Sequence, residues 1–417
     1  MTLPATPVSP TSDPPAPDAP AEDRRALFTL LAVVYINIAG FGVVLPLLPF
    51  YGKSFHVSPA MVALMFSAFS VGNVFAEPFW GRVSDRIGRR PVLLMTLFGN
   101  ALVFLALAYA PSFWIVCLVR MAGGALSGNI STIQGYIADI TTPDRRASRL
   151  GLLGAAFGLG FMTGPWIGGV LARQDLGTVG FRPPFFASMA FCIAAGLGVF
   201  FFVRESRRHT HHDATPPPTL EAVKEAAANP VISRTILVNF IAVCAFAGVE
   251  SIFGLWVAAR YGWGPRETGW CFGGIAVTAV LIQGFVTGRL ARRFGEGRVL
   301  TAGLVLIGIA LAIQPFTHTW PVSVADMVLV ALGQSLAFPN VAAMISHATH
   351  PDRQGAMLGL NLSGGALARI FGPLLAGPLF MTTGASSPFI SGAILMLPGV
   401  WCAWRATQAV RRARLAA

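Results

Sequence analysis

The chain has few charged residues for its length. Only 12% of its 417 residues are charged, whereas 54% are hydrophobic, and soluble domains carry roughly 25% charged residues. This shortage excludes water as the only solvent of the protein. The net charge of +12 does not indicate nucleic-acid binding, because the arginines lie in short bursts between apolar runs and form no continuous basic face.

Several functional signatures are missing as well. The five cysteines show no CxxC or metal-ligand spacing and fall in or beside apolar runs, so we interpret them as small apolar residues. No nucleophile–base or metal constellation indicates an enzyme, and we expect no cofactor. Residues 1–25 lack the basic start and apolar core of a signal peptide, and their Pro, Ala, Ser and Thr content predicts a disordered cytoplasmic tail.

What the chain has in abundance is apolar runs of about 20 residues, the length that crosses a bilayer as a helix. These runs predict twelve spans in an all-α membrane protein. In chain order the spans are 27–50, 60–80, 92–110, 112–138, 148–171, 184–203, 234–258, 268–291, 299–316, 321–345, 355–380 and 387–404.

A polar stretch divides the spans into two sets of six. The predicted divisions are an N-terminal half over 26–204, a cytoplasmic linker over 205–233, a C-terminal half over 234–405 and a cytoplasmic tail over 406–417. The linker contains His209, His211 and His212, which are too loosely placed to predict a metal site, so a solvated linker is the favoured interpretation.

The distribution of basic residues predicts the orientation. With both termini in the cytoplasm, 23 Lys and Arg residues lie on the inner side and five on the outer side. This asymmetry follows the positive-inside rule. Two arginines, Arg120 and Arg369, lie within apolar runs.

The two halves repeat three local sequences at nearly one spacing. A charged segment from Gly81 to Arg90 holds one acid, Asp85, and four arginines, and it recurs at Gly288 to Gly295 with an offset of 207 residues. Two more matches, at Pro143 with Pro351 and at Gly164 with Gly372, share an offset of 208. The agreement favours duplicated halves over two unrelated bundles, and such halves place a substrate cavity between them. We therefore expect a transporter.

These segments resemble motifs of the major facilitator superfamily. Residues 81–90 resemble its loop between spans 2 and 3, and residues 120–124 resemble its span 4 motif. Residues 158–169 resemble the span 5 motif typical of its proton-driven antiporters. Residues 40–49 and 136–141 resemble the drug/proton antiporters, tetracycline exporters among them. The resemblance covers nearly the whole chain and implies the twelve-helix major facilitator fold, with two six-helix pseudo-repeat halves.

The Asp85 segment has two interpretations. Its carboxylate can pair with arginines and accept from the N-terminal amides of a neighbouring helix, so remaking these contacts would gate the protein. Alternatively, the segment is a topogenic anchor. The gating set comprises Asp85, Arg86, Arg89, Arg90, Asp139 and Glu77. The repeat has Arg292 in place of Asp85, so gating charge should differ between the halves.

Span 5 is rich in glycine. The motif residues Gly160, Gly164, Gly168 and Gly169 leave one helix face nearly free of side chains, which allows close helix packing, and Pro165 adds a bend. The resemblance implies that this helix controls leakage when the cavity changes sides. Ordinary packing without a coupling role is the alternative.

Charges inside a membrane are costly and indicate function. Glu250 in span 7 is our first choice for the proton-coupling carboxylate, with Arg120 and Arg369 as the accompanying charges. A permanent salt bridge between Glu250 and an arginine such as Arg369 is the alternative. Asp326 in span 10 is a weaker candidate.

Two departures from the tetracycline exporters concern the substrate. Where those proteins carry acids in spans 1 and 3, this chain has Asn37 and Val103, which argues against tetracycline–metal complexes. The predicted cavity suits apolar or amphiphilic compounds held by few hydrogen bonds, although any one aromatic residue can equally serve helix packing. The lining candidates are Asn37, Phe41, Asn129, Gln134, Asn239, Phe246, Phe253, Gln283, Gln334, Asn340 and Asn361.

Together these features predict a proton-coupled antiporter that exports small hydrophobic or amphiphilic compounds by alternating access, as in multidrug efflux and antibiotic resistance. We expect a monomer in the bacterial inner membrane, with protons, lipid and a small-molecule substrate as its partners. The alternatives are a dedicated exporter of an endogenous metabolite, sugar or siderophore, and a receptor or scaffold built on the same fold.

Overall fold

The computed structural model describes residues 24–141, 143–205, 219–350 and 353–416, and these residues are almost entirely helical. A 3-10 segment, Gln174–Phe181, precedes α8, and a π turn, Gln283–Thr287, joins α11 to α12. The helices are α1 (Arg24–Val44), α2 (Leu48–Lys53), α3 (Pro59–Ile87), α4 (Arg89–Ala108), α5 (Phe113–Ala125), α6 (Asn129–Ile140), α7 (Pro143–Leu171), α8 (Arg182–Phe202), α9 (Thr219–Ala228), α10 (Pro230–Tyr261), α11 (Pro265–Ile282), α12 (Gly288–Phe294), α13 (Glu296–Ile313), α14 (Trp320–His347), α15 (Gln354–Thr382) and α16 (Ser387–Ala416).

Within this described part of the chain, eleven helical segments are long and apolar enough to cross a membrane. They lie at eleven of the twelve predicted spans, and the predicted all-α membrane class is confirmed. The prediction of one continuous helix over 112–138 was wrong. Two shorter helices, α5 and α6, occupy that region, and the chain is not helical between them.

The break between α5 and α6 follows from the glycines of this region. Gly124 lies so close to α3 that a Cβ atom there would overlap the α3 backbone. Two carbonyls at the break, those of Ala125 and Leu126, accept hydrogen bonds from Trp80 Nε1 at 2.7 Å and Asn100 Nδ2 at 3.1 Å. Neighbouring helices therefore satisfy backbone groups that lipid could not.

The two halves share their backbone geometry at the repeated loops. Gly88 separates α3 from α4, and Gly295 separates α12 from α13. Both glycines have a positive φ, 107° and 88°, a region that favours glycine. The equivalent conformation at an offset of 207 residues agrees with the predicted duplication.

The halves touch at one end of the bundle and are apart at the other. At the end where α3 and α11 begin, termed the closed end, a Cβ atom on Gly169 would lie 2.7 Å from the Pro265 carbonyl. There also, Ser67 Oγ donates to the Ile370 carbonyl at 2.9 Å. At the opposite, open end, six glycines have no described neighbour within 4 Å of an added Cβ atom: Gly154, Gly284, Gly288, Gly295, Gly355 and Gly359.

Both described ends of the chain lie at the open end. Gly42, near the end of α1, lies against Pro165 towards the closed end, so α1 begins at the open end. Thr407, late in α16, lies beside Gly297 at the start of α13, which is also at the open end.

The glycine face of α7 packs against α1. A Cβ atom on Gly160 would lie 2.8 Å from the Tyr35 carbonyl oxygen, and one on Gly164 would lie 2.9 Å from Cα of Gly42. Gly168 approaches the α1 backbone in the same way. The predicted close packing is therefore present, and the role of this helix in coupling stays a prediction.

The predicted linker contains a helix, α9, and α10 begins inside it at Pro230. Arg353 joins α9 to the start of α15 through an ion pair with Glu225 at 2.8 Å. Several sequence features lie outside the described residues: residues 1–23, the linker residues His209, His211 and His212, and Pro351.

Candidate functional site

Glu250 on α10 and Arg369 on α15 lie near each other inside the C-terminal half. The two helices approach closely because glycines face each other, and a Cβ atom on Gly248 would lie 2.9 Å from the Gly372 carbonyl oxygen. The two charges interact electrostatically, but no hydrogen bond or direct ion pair joins them. Glu250 is half-buried and Arg369 keeps accessible surface.

Asp326 on α14 is a second buried carboxyl of this half. Its side chain is 4% exposed, and neither carboxyl oxygen has a hydrogen-bond donor among the described residues. One turn earlier, Ser323 accepts a hydrogen bond from Gln314 Nε2 at 2.6 Å, while Gln314 Oε1 has no described partner. These groups lie within the C-terminal bundle, on a different helix from Glu250.

Arg120 on α5 is the buried charge of the N-terminal half. Its guanidinium lies 4.6 Å from the centroid of the Phe69 ring, and its Nε donates to the Met65 carbonyl at 3.5 Å. Its terminal nitrogens have no acceptor among the described residues, and no described carboxylate acts on it. The ring and the carbonyl therefore stabilise this cation without a counter-ion.

Arg120 lines a small cavity between α1, α3, α4 and α5. Asn37 and Val103, the two positions that depart from the tetracycline exporters, both lie on the wall of this cavity. Asn37 has no hydrogen bond among the described residues, whereas Asn100 on the same wall donates to the Thr96 and Leu126 carbonyls. The sequence identified these positions separately, and the fold brings them together.

The other polar lining candidates differ in the hydrogen bonds that their side chains form. Asn239 Nδ2 donates to the Asn361 carbonyl at 3.2 Å and so joins α10 to α15. Asn340 donates within its own helix to Leu336. Asn129 and Gln334 each have a buried amide nitrogen without a described partner.

The remaining lining candidates differ in exposure. Gln134 and Gln283 are exposed, and Phe41 and Phe246 are half-buried. Phe253 is 1% exposed and packs against Trp256 and Phe272 in the core of the C-terminal half, and its role as a lining residue stays a prediction.

Asp85 and Arg89 form an ion pair of 3.0 Å across the Gly88 turn, at the open end. Arg89 also donates to Ser84 Oγ at 2.6 Å, and its guanidinium lies against Gly135 of α6. Arg90 donates to the Phe200 carbonyl at 2.7 Å. This cluster joins α3, α4, α6 and α8 inside the N-terminal half.

Glu205 is a member of this cluster that the sequence analysis missed. Its carboxylate accepts hydrogen bonds from the backbone amides of Arg89 and Arg90, at 2.9 and 3.1 Å. It therefore caps the N-terminus of α4, where the helix dipole favours an anion. A helix that starts directly after Gly88 has N-terminal backbone amides that need an acceptor. This need was the feature of the sequence that could have indicated a capping carboxylate.

Not every member of the proposed gating set is joined to the cluster. Arg86 is exposed and has no hydrogen bond among the described residues. The side chains of Glu77 and Asp139 lie outside what the structure describes.

The repeat copy of the loop is organised differently. Arg292 is exposed and has no hydrogen bond within the described chain. Glu296 stands in the position of Arg89 and contacts His347 Nε2 at 3.1 Å. The C-terminal loop therefore lacks the ion pair of its N-terminal counterpart, as the sequence predicted.

Paired helical halves, buried charges and a space open at one end define a membrane transporter. Comparison with known proteins agrees. The family model of the Major Facilitator Superfamily matches residues 30–265 and 235–416, so the chain belongs to that superfamily.

Similar proteins are transporters of the drug-efflux type rather than enzymes. The class B tetracycline resistance protein of Escherichia coli is 28% identical over 361 residues, covering 84% of this chain and 87% of that protein. Multidrug resistance protein 2 of Bacillus subtilis (strain 168) is 27% identical, covering 91% and 94%. The crystal structure of the human organic anion transporter MFSD10 is 25% identical with a TM-score of 0.67, covering 94% of this chain and all of that one.

Proposed function

We propose that this protein is a proton-coupled antiporter that exports small hydrophobic or amphiphilic compounds. The observation that carries the proposal is Glu250, a carboxyl inside the membrane bundle that interacts with Arg369 without a direct bond. A carboxyl in that setting can take up and release a proton without breaking a fixed ion pair. The named tetracycline and multidrug resistance relatives support export as the direction of transport.

The coupling step follows from the charges. When Glu250 is ionised, it attracts Arg369 and favours close contact between α10 and α15. Protonation from the outside removes this attraction, which favours substrate release and return to the inward state. Loss of the proton to the cytoplasm then favours rebinding. The equilibrium between the two states is thus biased by one proton site, as alternating access requires.

The open end faces the cytoplasm in this proposal, with both termini on that side of the bacterial inner membrane and the protein acting as a monomer. Closure there would bring together helix faces that are now apart. On α3, Phe75 and Phe79 are exposed, and on α15 Leu362 is exposed. The Asp85–Arg89 cluster lies beside the α3 face, so we place the gate at this end.

The test is proton-driven transport of a fluorescent dye in proteoliposomes, with an imposed pH gradient. We expect Glu250→Gln to lower gradient-driven transport about 100-fold, because the amide cannot carry the proton. Glu221→Gln, at an exposed position of the linker helix α9, is the matched control and should transport normally. Full gradient-driven transport by the Glu250→Gln protein would refute the assignment.

A further inference from the structure

The charges inside the helices of the two halves are balanced differently. Glu250 and Arg369 compensate each other in the C-terminal half. Arg120 is 5% exposed, and no described carboxylate acts on it. An unpaired buried charge is unfavourable, and the Phe69 ring and one backbone carbonyl compensate it only in part. An anion from outside the protein would complete this site.

The cavity beside Arg120 offers hydrogen-bond donors, and none of the described residues that line it is acidic. The Asn100 amide is occupied by two backbone carbonyls, and Ser127 Oγ donates to the Gly124 carbonyl. The Asn37 amide and the terminal nitrogens of Arg120 have no described partner, so they are the donors that remain for a ligand.

Aromatic rings lead from this cavity towards the open end. The Phe69 and Phe41 centroids are 5.1 Å apart, Phe41 and Phe161 are 6.0 Å apart, and Phe161 and Phe157 are 5.1 Å apart. Phe157 is 38% exposed. It lies on α7 next to Gly154, which has no described neighbour across the gap. The row of rings connects the buried guanidinium with accessible space.

We propose that Arg120 and Asn37 bind the carboxylate of an amphiphilic organic anion, while its apolar body lies along Phe69, Phe41 and Phe161. Arginine suits this role because its planar guanidinium can hold a carboxylate through two parallel hydrogen bonds. The inference rests on the proposed transport function and specifies its substrate class. Small aromatic carboxylic acids are the expected cargo, in preference to neutral or cationic analogues of the same shape.

Binding of matched ligands to the purified protein in nanodiscs tests this proposal by isothermal titration calorimetry. The ligands are 2-naphthoate, methyl 2-naphthoate and 2-naphthylmethylammonium, which share one ring system and differ in charge. We expect naphthoate to bind at least about tenfold more tightly than the ester, because it alone makes a charge-assisted hydrogen bond. Equal binding of acid and ester, or preference for the cation, would overturn the proposal.

Substitutions at the two donors should reduce the preference for the acid. Arg120→Gln is expected to weaken naphthoate binding about 10- to 100-fold and to bring the acid-to-ester ratio near one. Asn37→Ala should weaken naphthoate binding about threefold to tenfold, the effect of a neutral hydrogen bond. An Arg120→Gln protein that still prefers the acid would contradict the assignment.

A second pair of variants keeps Arg120, so the result does not depend on removing that side chain. Val103→Asp puts a carboxylate on the cavity wall, and Val103→Asn puts a neutral side chain of the same size there. We expect the Asp variant to bind naphthoate about tenfold more weakly than the Asn variant, because the protein then supplies its own counter-ion. Equal naphthoate affinity in the two variants would count against an anion site.

The failure of this inference can be separated from failure of the antiporter proposal. Wild-type proteoliposomes are tested for transport of methyl 2-naphthoate under a pH gradient, which does not depend on anion recognition. Gradient-driven ester transport without preference for the acid would overturn only the substrate class. Absence of gradient-driven transport for both ligands would overturn the antiporter proposal itself.

Discussion

The N-terminal and C-terminal halves share a backbone plan but differ in the charges within their helices. Gly88 and Gly295 adopt the same left-handed turn at equivalent positions. Inside the helices, however, no described acid lies beside Arg120, whereas Arg369 has Glu250. The duplicated backbone is thus compatible with two chemistries. Our proposals give anion recognition to the first half and proton exchange to the second.

The repeated loops show the same divergence at the surface. In the first loop, Asp85 pairs with Arg89, and Glu205 caps the following helix. In the second loop, Arg292 occupies the equivalent position and is exposed. A gate needs contacts that form and break. Among the described residues the first loop has an acid-centred cluster of such contacts, whereas the second loop has the contact of Glu296 with His347.

The largest expected effect concerns the pair that distinguishes the C-terminal half. Arg369→Gln leaves Glu250 without its cation and should lower stability by about 1–3 kcal/mol, less than for a pair in direct contact. Adding Glu250→Gln removes the unpaired charge, so thermal stability in detergent should largely return. Gradient-driven transport should stay about 100-fold below wild type, because the assigned proton carrier has been removed.

The decisive result is whether stability and transport recover together or separately in the double variant. Stability that recovers while transport does not would support a coupling role for Glu250. If transport recovered together with stability, the pair would be a structural salt bridge and the comparison between halves would lose its functional meaning.

The sequence predicted the membrane spans and the duplication well, because both depend on local hydropathy and on repeated motifs. It failed at 112–138, since Gly123, Gly124 and Gly128 extend an apolar run without marking a break. The break is a tertiary effect, because Trp80 on α3 and Asn100 on α4 satisfy the open carbonyls.

The candidate site was predicted only in part. Glu250, Arg120 and Arg369 were recognisable because charges are rare in such spans. The grouping of Asn37 and Val103 around Arg120 was not, since these residues are far apart in the chain and share no local pattern. The packing of Phe253 against Phe272 in the C-terminal core was not predictable either, since it depends on how α10 packs.

A smaller loss of stability is expected when the Glu205 cap is weakened, a cap that the described residues show in the first half only. Glu205→Gln weakens the acceptor for the Arg89 and Arg90 amides, and we expect a loss of about 0.5–2 kcal/mol, the usual range for a helix cap. Thermal unfolding in detergent measures it. Arg292→Gln, at the exposed position of the second loop, is the control and should change stability by less than about 0.5 kcal/mol. Equal losses from both variants would show that the loops are energetically alike.

The smallest expected effect comes from giving the second loop the acid of the first. Arg292→Asp places a carboxylate four residues before Glu296, and like charges at this spacing cost about 0.2–0.5 kcal/mol. Combining it with Glu296→Arg recreates the order of Asp85 and Arg89 and should recover a similar amount, although it removes the contact with His347. Chemical unfolding in detergent of the single and double variants gives both values. The double variant could also be no more stable than the single one. In that case the stabilising effect of the Asp85–Arg89 pair would depend on its neighbours in α6 and α8 rather than on the turn. The two halves would then differ in the packing around their loops.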